Sequence, residues 1–385
     1  MCLLKKAIYG LKQASREWNA TLDAFVRRSL GFSRLVSDSC VDTKRSAAAV
    51  DNIPSAIAEE DAEEWANIKL QFEQRFKIKF LGGADWVLSM RIRRDKQGRR
   101  LYVDQQAYVD TLLEEMHMDE SHAVPTPGAQ QPLSKQQCPQ NEDERASMSV
   151  VPYRRTVGAL MYLANTSRPD IGHAVHSVAQ FAQDPGQVHW QAVKRILRYL
   201  CGTAEYGLVF DGSIPLQLQV FADANWAGCI DSRRSTSGWL IMLGGSVIDW
   251  SCKRQDTVAL SSCESEYMAI SSAVQGVLWT VSLLGELGIA QQSAPIMVRN
   301  DNKSAIAITQ NDVMHGRSKH IDIRHHFVRD EVLRRTVHMQ WISTEEQVAD
   351  IFTKAFGPML FRKFRDRIVI SCKETAEEAA PQQRE

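Results

Sequence analysis

Apolar and polar residues along the 385-residue chain follow a helical period in the first half and a mixed helix and strand pattern in the second. Apolar side chains three or four residues apart predict amphipathic helices, and alternation of apolar and polar residues predicts strands. In the first half this predicts two strands around the turn Asp95–Gly98, within 86–103. The predicted helices there are 1–36, 59–80, 105–118, 153–165 and 169–200, the last with a break allowed at Pro185.

From residue 216 onward the predicted order is three strands, a helix, a strand, two helices, a strand and a helix. Three strands joined by tight turns form an antiparallel meander, and a strand–helix–strand step adds a parallel strand by a right-handed crossover. We therefore expect a mixed α+β and α/β fold with a five-stranded mixed sheet and flanking helices. The strands are 216–222, 238–243, 247–253, 296–300 and 337–342, and the helices are 261–287, 303–309, 319–335 and 345–356.

Composition suggests where the chain divides. Residues 121–150 are rich in proline and polar side chains, which predicts a linker. The predicted segments are 1–120, the linker 121–150, a helical region 151–204, a sheet-forming domain 205–357, and a C-terminal tail 358–385 with a disordered end.

Charge and cysteine content exclude several classes of protein. Lys plus Arg (46) equal Asp plus Glu (46), so nucleic-acid contacts must come from local clusters. The eight cysteines include no C-x-x-C pair, which argues against a zinc site or a disulfide framework. Neither a signal peptide nor an apolar run of about 18 residues is evident, so we expect an intracellular protein, cytoplasmic or nuclear, without a membrane partner.

Two basic clusters are candidate nucleic-acid contacts. One lies on the predicted hairpin and the other on a predicted helix, and each could neutralise several phosphates. Arginines on a hairpin edge also protect it from pairing with other chains, and both interpretations stay open. The candidates are Arg91, Arg93, Arg94, Arg99, Arg100, Lys194, Arg195 and Arg198.

Four acids stand where this topology could bring carboxylates together. Asp223 and Asp301 end strands expected to be neighbours, Glu266 lies in the first turns of the long helix, and Asp350 lies in an apolar stretch. Nothing basic lies within one turn of Asp350 on its N-terminal side. An acid among apolar residues is costly unless it is paired or binds a metal, and two Mg²⁺ ions support phosphodiester hydrolysis. Singly, each acid could instead be an ordinary strand end or helix start.

The motifs around these acids resemble the ribonuclease H domain of copia-type retrotransposon Pol polyproteins in order and spacing. The matching stretches are Phe221–Gly228, Arg233–Gly238, Trp250–Gln255, Ala259–Tyr267, Asp301–Ala305, Lys319–Arg324 and Val348–Lys354. The resemblance implies hydrolysis of the RNA strand of an RNA/DNA hybrid by two Mg²⁺ or Mn²⁺ ions. It assigns the catalytic and metal-binding roles to Asp223, Glu266, Asp301 and Asp350.

Several positions leave alternatives within the resemblance. Glu264 competes with Glu266, since residues two apart point about 200° apart on a helix and cannot both face the metals. Asn225 stands where the family usually has a second Asp, which is not a metal ligand there. His320 and Asp322 belong to a family motif; a role in handling substrate or product and a role in capping a helix both stay open.

The first half resembles the end of a copia-type reverse transcriptase. Leu4–Trp18 is similar to a palm segment, so 1–120 would be a truncated palm and thumb, and 151–204 matches the connecting region. The polymerase hairpin that carries two Asp is matched best by 49–52, where Asp51 is followed by Asn52. One acid cannot hold two Mg²⁺ ions, so we predict a degenerate polymerase.

Two other functions compete with an active ribonuclease H. One is an inactive transposon remnant that at most binds nucleic acid. The other is a DNA-cutting metal nuclease of the transposase or integrase class, against which the Arg233–Gly238 and Lys319–Asp322 stretches argue. Other retroelement proteins are expected partners in addition to the hybrid.

Overall fold

A computed structural model describes residues 14–44, 62–80, 83–129, 131–289, 295–310 and 319–372, with side chains of the last range from His326 onward. The described residues form two compact units. One comprises the described part of Met1–Gly82 with that of Leu278–Ser293, and the other the described parts of Gly83–Val277 and Ala294–Glu385.

The smaller unit is built around packed aromatic rings. The ring of Phe25 lies edge-on to Phe72 and Phe76, at centroid distances of 5.1 and 5.2 Å. The first helix continues through a π-helical turn and the chain leaves it at Gly31, whose φ of +76° suits glycine. The elements wholly within this unit are α1 (Ala14–Ala24), β1 (Ser33–Arg34), β2 (Asp42–Thr43) and α2 (Ala62–Arg75).

The larger unit contains the remaining elements, apart from the end of one long helix. Its first part consists of β3 (Trp86–Val87), β4 (Met90–Asp95), β5 (Arg100–Asp104), α3 (Gln106–Glu115), α4 (Glu142–Ser149), α5 (Tyr153–Thr166), α6 (Gly172–Ala179) and α7 (Gln187–Cys201). The second part consists of β6 (Tyr206–Asp211), β7 (Leu218–Asn225), β8 (Thr236–Leu243), β9 (Ser246–Arg254), α8 (Ser262–Glu286), β10 (Ile296–Asn300), α9 (Lys303–Gln310), α10 (Lys319–Leu333), β11 (Val337–Trp341), α11 (Pro358–Arg365) and β12 (Ile370–Ser371).

The sheet that carries the candidate acids has the strand order β11-β10-β7-β8-β9. β7, β8 and β9 pair antiparallel as a meander, and β10 pairs parallel with both β7 and β11. This is the mixed five-stranded sheet expected from the alternation of apolar residues and the crossover rule. The predicted α+β arrangement, a five-stranded mixed sheet with flanking helices, is confirmed.

Helices cover both faces of this sheet. Phe221, Leu240 and Met242 share a buried core with side chains of α5, α6 and α7. On the opposite face Trp239 donates its indole N–H to Ser272 of α8 at 3.0 Å. Alternation along β8 thus directs successive side chains into two different cores.

The helix α8 is long and apolar enough to be considered as a membrane span. It has 25 residues and contains an 18-residue window with mean hydropathy 1.4, so by length and composition alone it could cross a bilayer. Half of that window is buried within the protein. Core helices pass the same test, so this is weak evidence for a membrane span.

A second five-stranded sheet, with order β12-β6-β5-β4-β3, links parts of the chain that the sequence assigned to different segments. The β4–β5 hairpin was predicted, but β6 and β12 were not. Leu101 pairs with Phe210, and Ile370 pairs with Gly207. The compact units therefore do not follow the predicted boundaries at residues 120, 204 and 357, because strand pairing joins residues more than 100 positions apart.

The segment 121–150, predicted to be a linker, contains regular structure and is held by a neighbouring helix. It contains α4, and α7 holds its backbone: Arg195 donates to the Gly128 carbonyl at 2.6 Å and Arg198 to that of His122 at 2.7 Å. Arginine side chains of α7 thus donate hydrogen bonds to backbone carbonyls of the proline-rich segment, in which each proline lacks an N–H donor.

The C-terminal region also differs from its prediction. Residues 345–356 do not form one α-helix but two short 3-10 helices, Thr344–Glu346 and Val348–Phe352. Gln347 separates them, because its buried side chain donates to the Ala222 carbonyl at 2.8 Å and ties this segment to β7. Beyond residue 357 the predicted tail begins with α11, and Phe364 of α11 is fully buried.

A buried ion pair fixes the helical region near the sheet. Arg168 donates two hydrogen bonds to Asp170, at 2.9 and 2.8 Å, and another to the Thr203 carbonyl at 2.7 Å. Tyr199 donates to the same Asp170 carboxylate at 2.7 Å. This network ties the short turn before α6 to the end of α7.

Candidate metal centre

Asp223 and Asp301 meet because β7 and β10 run parallel. Val298 pairs with Val220, and Arg299 pairs with Phe221. Continuing this register by two residues places Asp301 beside Asp223, as the strand order predicts. Asp223 is 1% exposed, so its carboxylate lies inside the protein.

Glu266 completes a group of three converging carboxylates. It is buried in the second turn of α8, and one oxygen each from Asp223, Glu266 and Asp301 lie within 4.8 Å of one another. Carboxylate oxygens at this spacing match what Mg²⁺ and Mn²⁺ prefer. These three side chains could hold a divalent ion.

Asn300 orients this group, and the sequence did not single it out. Its side-chain amide donates to Glu266 Oε2 at 3.0 Å and to the Ala222 carbonyl at 2.9 Å. Thr344 donates to Asp301 Oδ2 at 2.6 Å. The available signal was a polar residue directly before a strand-end acid, which is too common to be specific.

Glu264 lies outside the cluster. Its side chain accepts a hydrogen bond from the backbone N–H of Leu260 at 2.8 Å, at the start of α8. Glu264 therefore acts as a helix-start acid, and Glu266 is the one of the two that reaches the other carboxylates.

Asp350 joins the cluster through Asp223 and a lysine. The two aspartates are linked by a side-chain hydrogen bond, and Lys354 Nζ lies 2.9 Å from Asp350 Oδ1 and 3.9 Å from Asp223 Oδ2. Nothing basic lies within one turn of Asp350 on its N-terminal side, which favoured a carboxylate without a cationic partner. The structure shows a cationic partner on the C-terminal side, Lys354, one helical turn later.

The clustering of acids raises their affinity for protons. Burial and the nearby Asp223 raise the pKa of Asp350 to about 8, although Lys354 opposes this. Burial and Asp223 also raise the pKa of Glu266 to about 9. Burial raises the pKa of Asp223 as well. Without a metal ion, the negative charge of the carboxylates exceeds the positive charge nearby. This excess of negative charge favours the binding of a cation.

Contacts of β7 and β8 with the Val348–Phe352 turn set the position of Asp350. Thr353 donates to the Asp223 carboxylate, and Asn225 donates to the Thr353 carbonyl at 3.2 Å. Asn225, where the resemblance expects an Asp, thus serves as a donor to the backbone. The polar side chains of β7 hold this turn against the sheet.

The arginines of the predicted hairpin do not all face solvent. Arg91 and Arg93 both pair with the fully buried Asp104, at 3.1 and 3.5 Å, and Arg93 also donates to the Cys372 carbonyl. These ion pairs give both side chains a structural role, and their contact with phosphates stays a prediction. Arg94, Arg99 and Arg100 are exposed, and Arg100 pairs with Asp211 at 3.2 Å.

The second basic cluster is also largely structural. Arg195 and Arg198 donate to the backbone of 121–129, and their contact with phosphates stays a prediction. Lys194 is partly exposed on the same helix. The side chains of His320 and Asp322, and the residues Asp51 and Asn52, lie outside the described part of the chain.

The three tryptophans near the sheet differ in exposure. Trp239 is buried, and Trp250 is partly buried with its indole donating to the Ala164 carbonyl at 2.8 Å. Trp226 is 49% exposed. Its indole donates to the Ala259 carbonyl at 3.0 Å, which fixes the ring beside the loop before α8.

Comparisons with known proteins agree with these features. A family model described as reverse transcriptase (RNA-dependent DNA polymerase) matches residues 1–130. The retrovirus-related Pol polyprotein from transposon TNT 1-94 of Nicotiana tabacum is 39% identical, over 92% of this chain and 27% of that protein. The polyprotein from transposon RE2 of Arabidopsis thaliana is 35% identical, over 96% of this chain and 25% of that protein. The chain thus spans about a quarter of the length of these relatives.

Among solved structures, LC11-RNase H1 in complex with an RNA/DNA hybrid is 13% identical, with a TM-score of 0.28, over 36% of this chain and 94% of that one. The chain is similar to retrotransposon Pol polyproteins over almost all of its length, and its first part matches the reverse transcriptase family. It belongs to the family of copia-type retrotransposon Pol polyproteins.

Proposed function

We propose that residues 205–357 form a ribonuclease H domain that hydrolyses the RNA strand of RNA/DNA hybrids, leaving a 5′-phosphate and a 3′-hydroxyl. The observation that carries this proposal is the convergence of Asp223, Glu266 and Asp301, with one oxygen from each lying within 4.8 Å of the others. Residues 1–120 are in this proposal a reverse transcriptase remnant and 151–204 a connecting region.

The donor set fits Mg²⁺ or Mn²⁺. All three side chains offer hard oxygens. The raised pKa values of Asp223 and Glu266 indicate that nearby cations do not fully compensate these two carboxylates. Asp223, Glu266 and Asp301 would hold one ion, and Asp350 with Asp223 would hold a second. Two bound ions would supply an activated water and stabilise the leaving oxygen.

The chain's own groups keep these ligands in place. The Asn300 amide directs one oxygen of Glu266, leaving the other oxygen for a ligand. Thr344 does the same for Asp301, and Thr353 for Asp223. Preorganised ligands lose less conformational entropy when an ion binds.

The exposed basic side chains are the proposed contacts with the hybrid. Arg94, Arg99 and Arg100 on the hairpin and Lys194 on α7 reach solvent and could neutralise phosphates. His320 and Asp322 stay in the proposal as groups that handle substrate or product. Contacts with phosphates do not distinguish one base from another. We therefore expect the affinity for the hybrid to depend on salt concentration and not on nucleotide sequence.

The test is cleavage of a labelled RNA/DNA hybrid by the purified chain in Mg²⁺. Glu266→Gln should abolish cleavage, whereas Glu264→Gln, the matched change two residues earlier, should leave most of it. Loss in both variants, or in neither, would contradict the assignment. Wild-type protein that folds and binds hybrid without cleaving it would sink the proposed activity.

An inactive remnant that only binds nucleic acid is the second candidate. It is favoured by the ion pair of Lys354 with Asp350, which partly neutralises the site. An inactive chain would bind hybrid equally well as wild type and as Asp223→Asn, with no Mg²⁺-dependent product from either.

For the first half we propose no polymerase activity, because Asp51 is followed by Asn52 where the family has two acids. Primer extension by the purified chain would overturn this.

We further propose an intracellular site of action with other retroelement proteins as partners. Seven cysteines in the described residues are free, as expected in a reducing compartment.

A further inference from the structure

Lys354 contributes a positive charge at one side of the carboxylate cluster. Its ammonium lies 2.9 Å from Asp350 Oδ1 and 3.9 Å from Asp223 Oδ2. Asp223 is also a member of the three-acid group with Glu266 and Asp301. Asp223 is therefore shared between two positions for positive charge, one among three carboxylates and one bridging Asp350.

These two positions differ in what they contain. The first is bordered by oxygens of Asp223, Glu266 and Asp301, within 4.8 Å of one another. The second, between Asp223 and Asp350, contains the Lys354 ammonium. A divalent ion bridging these two aspartates would need the space that the ammonium takes, and the two cations would repel each other at such short range.

We propose that Lys354 occupies the second cation position in the metal-free protein, so that the chain takes up one divalent ion readily and a second only by displacing the lysine. This inference rests on the proposed two-metal function. It makes Lys354 a positioning residue that sets the order in which the two ions bind.

The Lys354 side chain can move away from the two aspartates. It is one third exposed, so the ammonium can swing on its four-carbon stem into solvent. The Lys354 backbone is held separately, because its N–H donates to the Asp350 carbonyl at 3.0 Å. Movement of the side chain therefore does not require the turn that carries Asp350 to unfold.

The experiment counts ions without using activity. Mn²⁺ is titrated into wild-type protein and variants at fixed pH, with free Mn²⁺ measured by electron paramagnetic resonance and heats measured by calorimetry. Lys354→Met should change one strong site into two, with the second affinity raised about tenfold or more by loss of the opposing charge. Lys354→Arg, which keeps the charge, should behave like wild type.

The matched control is Lys303→Met. Lys303 is two residues from Asp301, but its ammonium lies over the ring of Trp341 at 4.6 Å. Its removal should change the second affinity little. An equal gain in Lys303→Met would overturn the proposal, because it would reflect general charge and not the occupied position.

The outcomes separate this proposal from the proposed function. If wild type binds Mn²⁺ and cleaves hybrid while Lys354→Met has unchanged or weaker binding, only the inference on Lys354 fails. If no variant binds Mn²⁺, the metal-dependent function fails with it. Should Lys354→Met misfold by circular dichroism, Lys354→Gln provides the same loss of charge with a polar end.

Discussion

Gly238 lies directly opposite Asp223 across β7 and β8, and the absence of its side chain allows the Asp350 turn to approach. A Cβ at Gly238 would lie 2.7 Å from Phe352 Cβ and 2.8 Å from Thr353 Cγ2. Both distances are shorter than real Cβ atoms show. The glycine thus couples the sheet to the segment that carries the fourth acid.

Gly238→Ala should push this segment away from Asp223. We expect a loss of about 1–3 kcal/mol in the free energy of unfolding, as for other overpacked cores, and weaker Mn²⁺ binding. Gly158→Ala is the control, because nothing lies within 4 Å of its Cβ position on α5. It should stabilise the helix by about 0.5–1 kcal/mol without changing Mn²⁺ binding. Urea unfolding and Mn²⁺ titration measure both quantities, and equal effects of the two changes would refute the argument.

Asn300→Ala should disorient Glu266 and leave the buried Ala222 carbonyl with one donor fewer. The expected cost is about 1–3 kcal/mol of stability, with a several-fold loss in Mn²⁺ affinity. Asn302→Ala removes a residue whose side chain caps α9 by accepting from Ala305 at 3.0 Å. It should cost about 1 kcal/mol and leave metal affinity unchanged. Unaltered metal affinity in Asn300→Ala would show that Glu266 needs no orientation.

The raised pKa values predict that metal-free stability falls with rising pH. The pKa of Asp350 rises from 3.8 to about 8 and that of Glu266 from 4.5 to about 9 on folding, so the folded protein holds protons that the unfolded chain releases. Their contribution is complete below pH 4 and is lost as pH rises towards 9. Urea unfolding at pH 5, 7 and 9 in a chelator should show this decline.

Divalent ions should oppose that decline, because the carboxylates bind metal in their deprotonated form. Stabilisation by Mg²⁺ should therefore grow from pH 5 to pH 9, and Glu266→Gln should flatten both trends. A metal-free protein that becomes more stable across this range would contradict the burial of protonated acids.

Arg168→Met should be the most damaging of these changes to folding. It would leave the buried Asp170 with Tyr199 alone as donor, and breaking a buried pair in this way costs about 3–5 kcal/mol. Replacing both members, Arg168→Met with Asp170→Leu, should cost less than the single change. A double variant at least as unstable as the single one would mean that packing and not charge dominates here.

The exposed hairpin arginines should affect hybrid binding, whereas those paired with the buried Asp104 should affect folding. Arg94→Ala and Arg99→Ala should each weaken binding and reduce the slope of log affinity against log salt by about one. Arg91→Ala removes a partner of the fully buried Asp104 and should lower thermal stability instead. Binding measured by fluorescence anisotropy at several salt concentrations distinguishes the two groups. Equal salt slopes in all three variants would contradict the division.

The mixed five-stranded sheet and the meeting of Asp223 with Asp301 at neighbouring strand ends could be predicted from the chain itself. Alternating apolar residues set the strands, tight turns make neighbours antiparallel, and the crossover rule makes β10 parallel to β7. These inferences succeed because each uses local periodicity and short connections. The choice of Glu266 over Glu264 came from the family resemblance, since both acids begin the same helix.

The sequence by itself determined the five strands of the sheet that carries the acids, the long helix α8 and which acids end neighbouring strands, because backbone periodicity is local. Only the tertiary structure decided that Lys354 turns back on Asp350, that Arg195 binds Gly128, and that β6 joins the distant hairpin. Such pairings depend on strand register and on packing between residues far apart in the chain. The local spacing of apolar residues does not reveal whether a basic side chain contacts solvent, a backbone carbonyl or a buried acid.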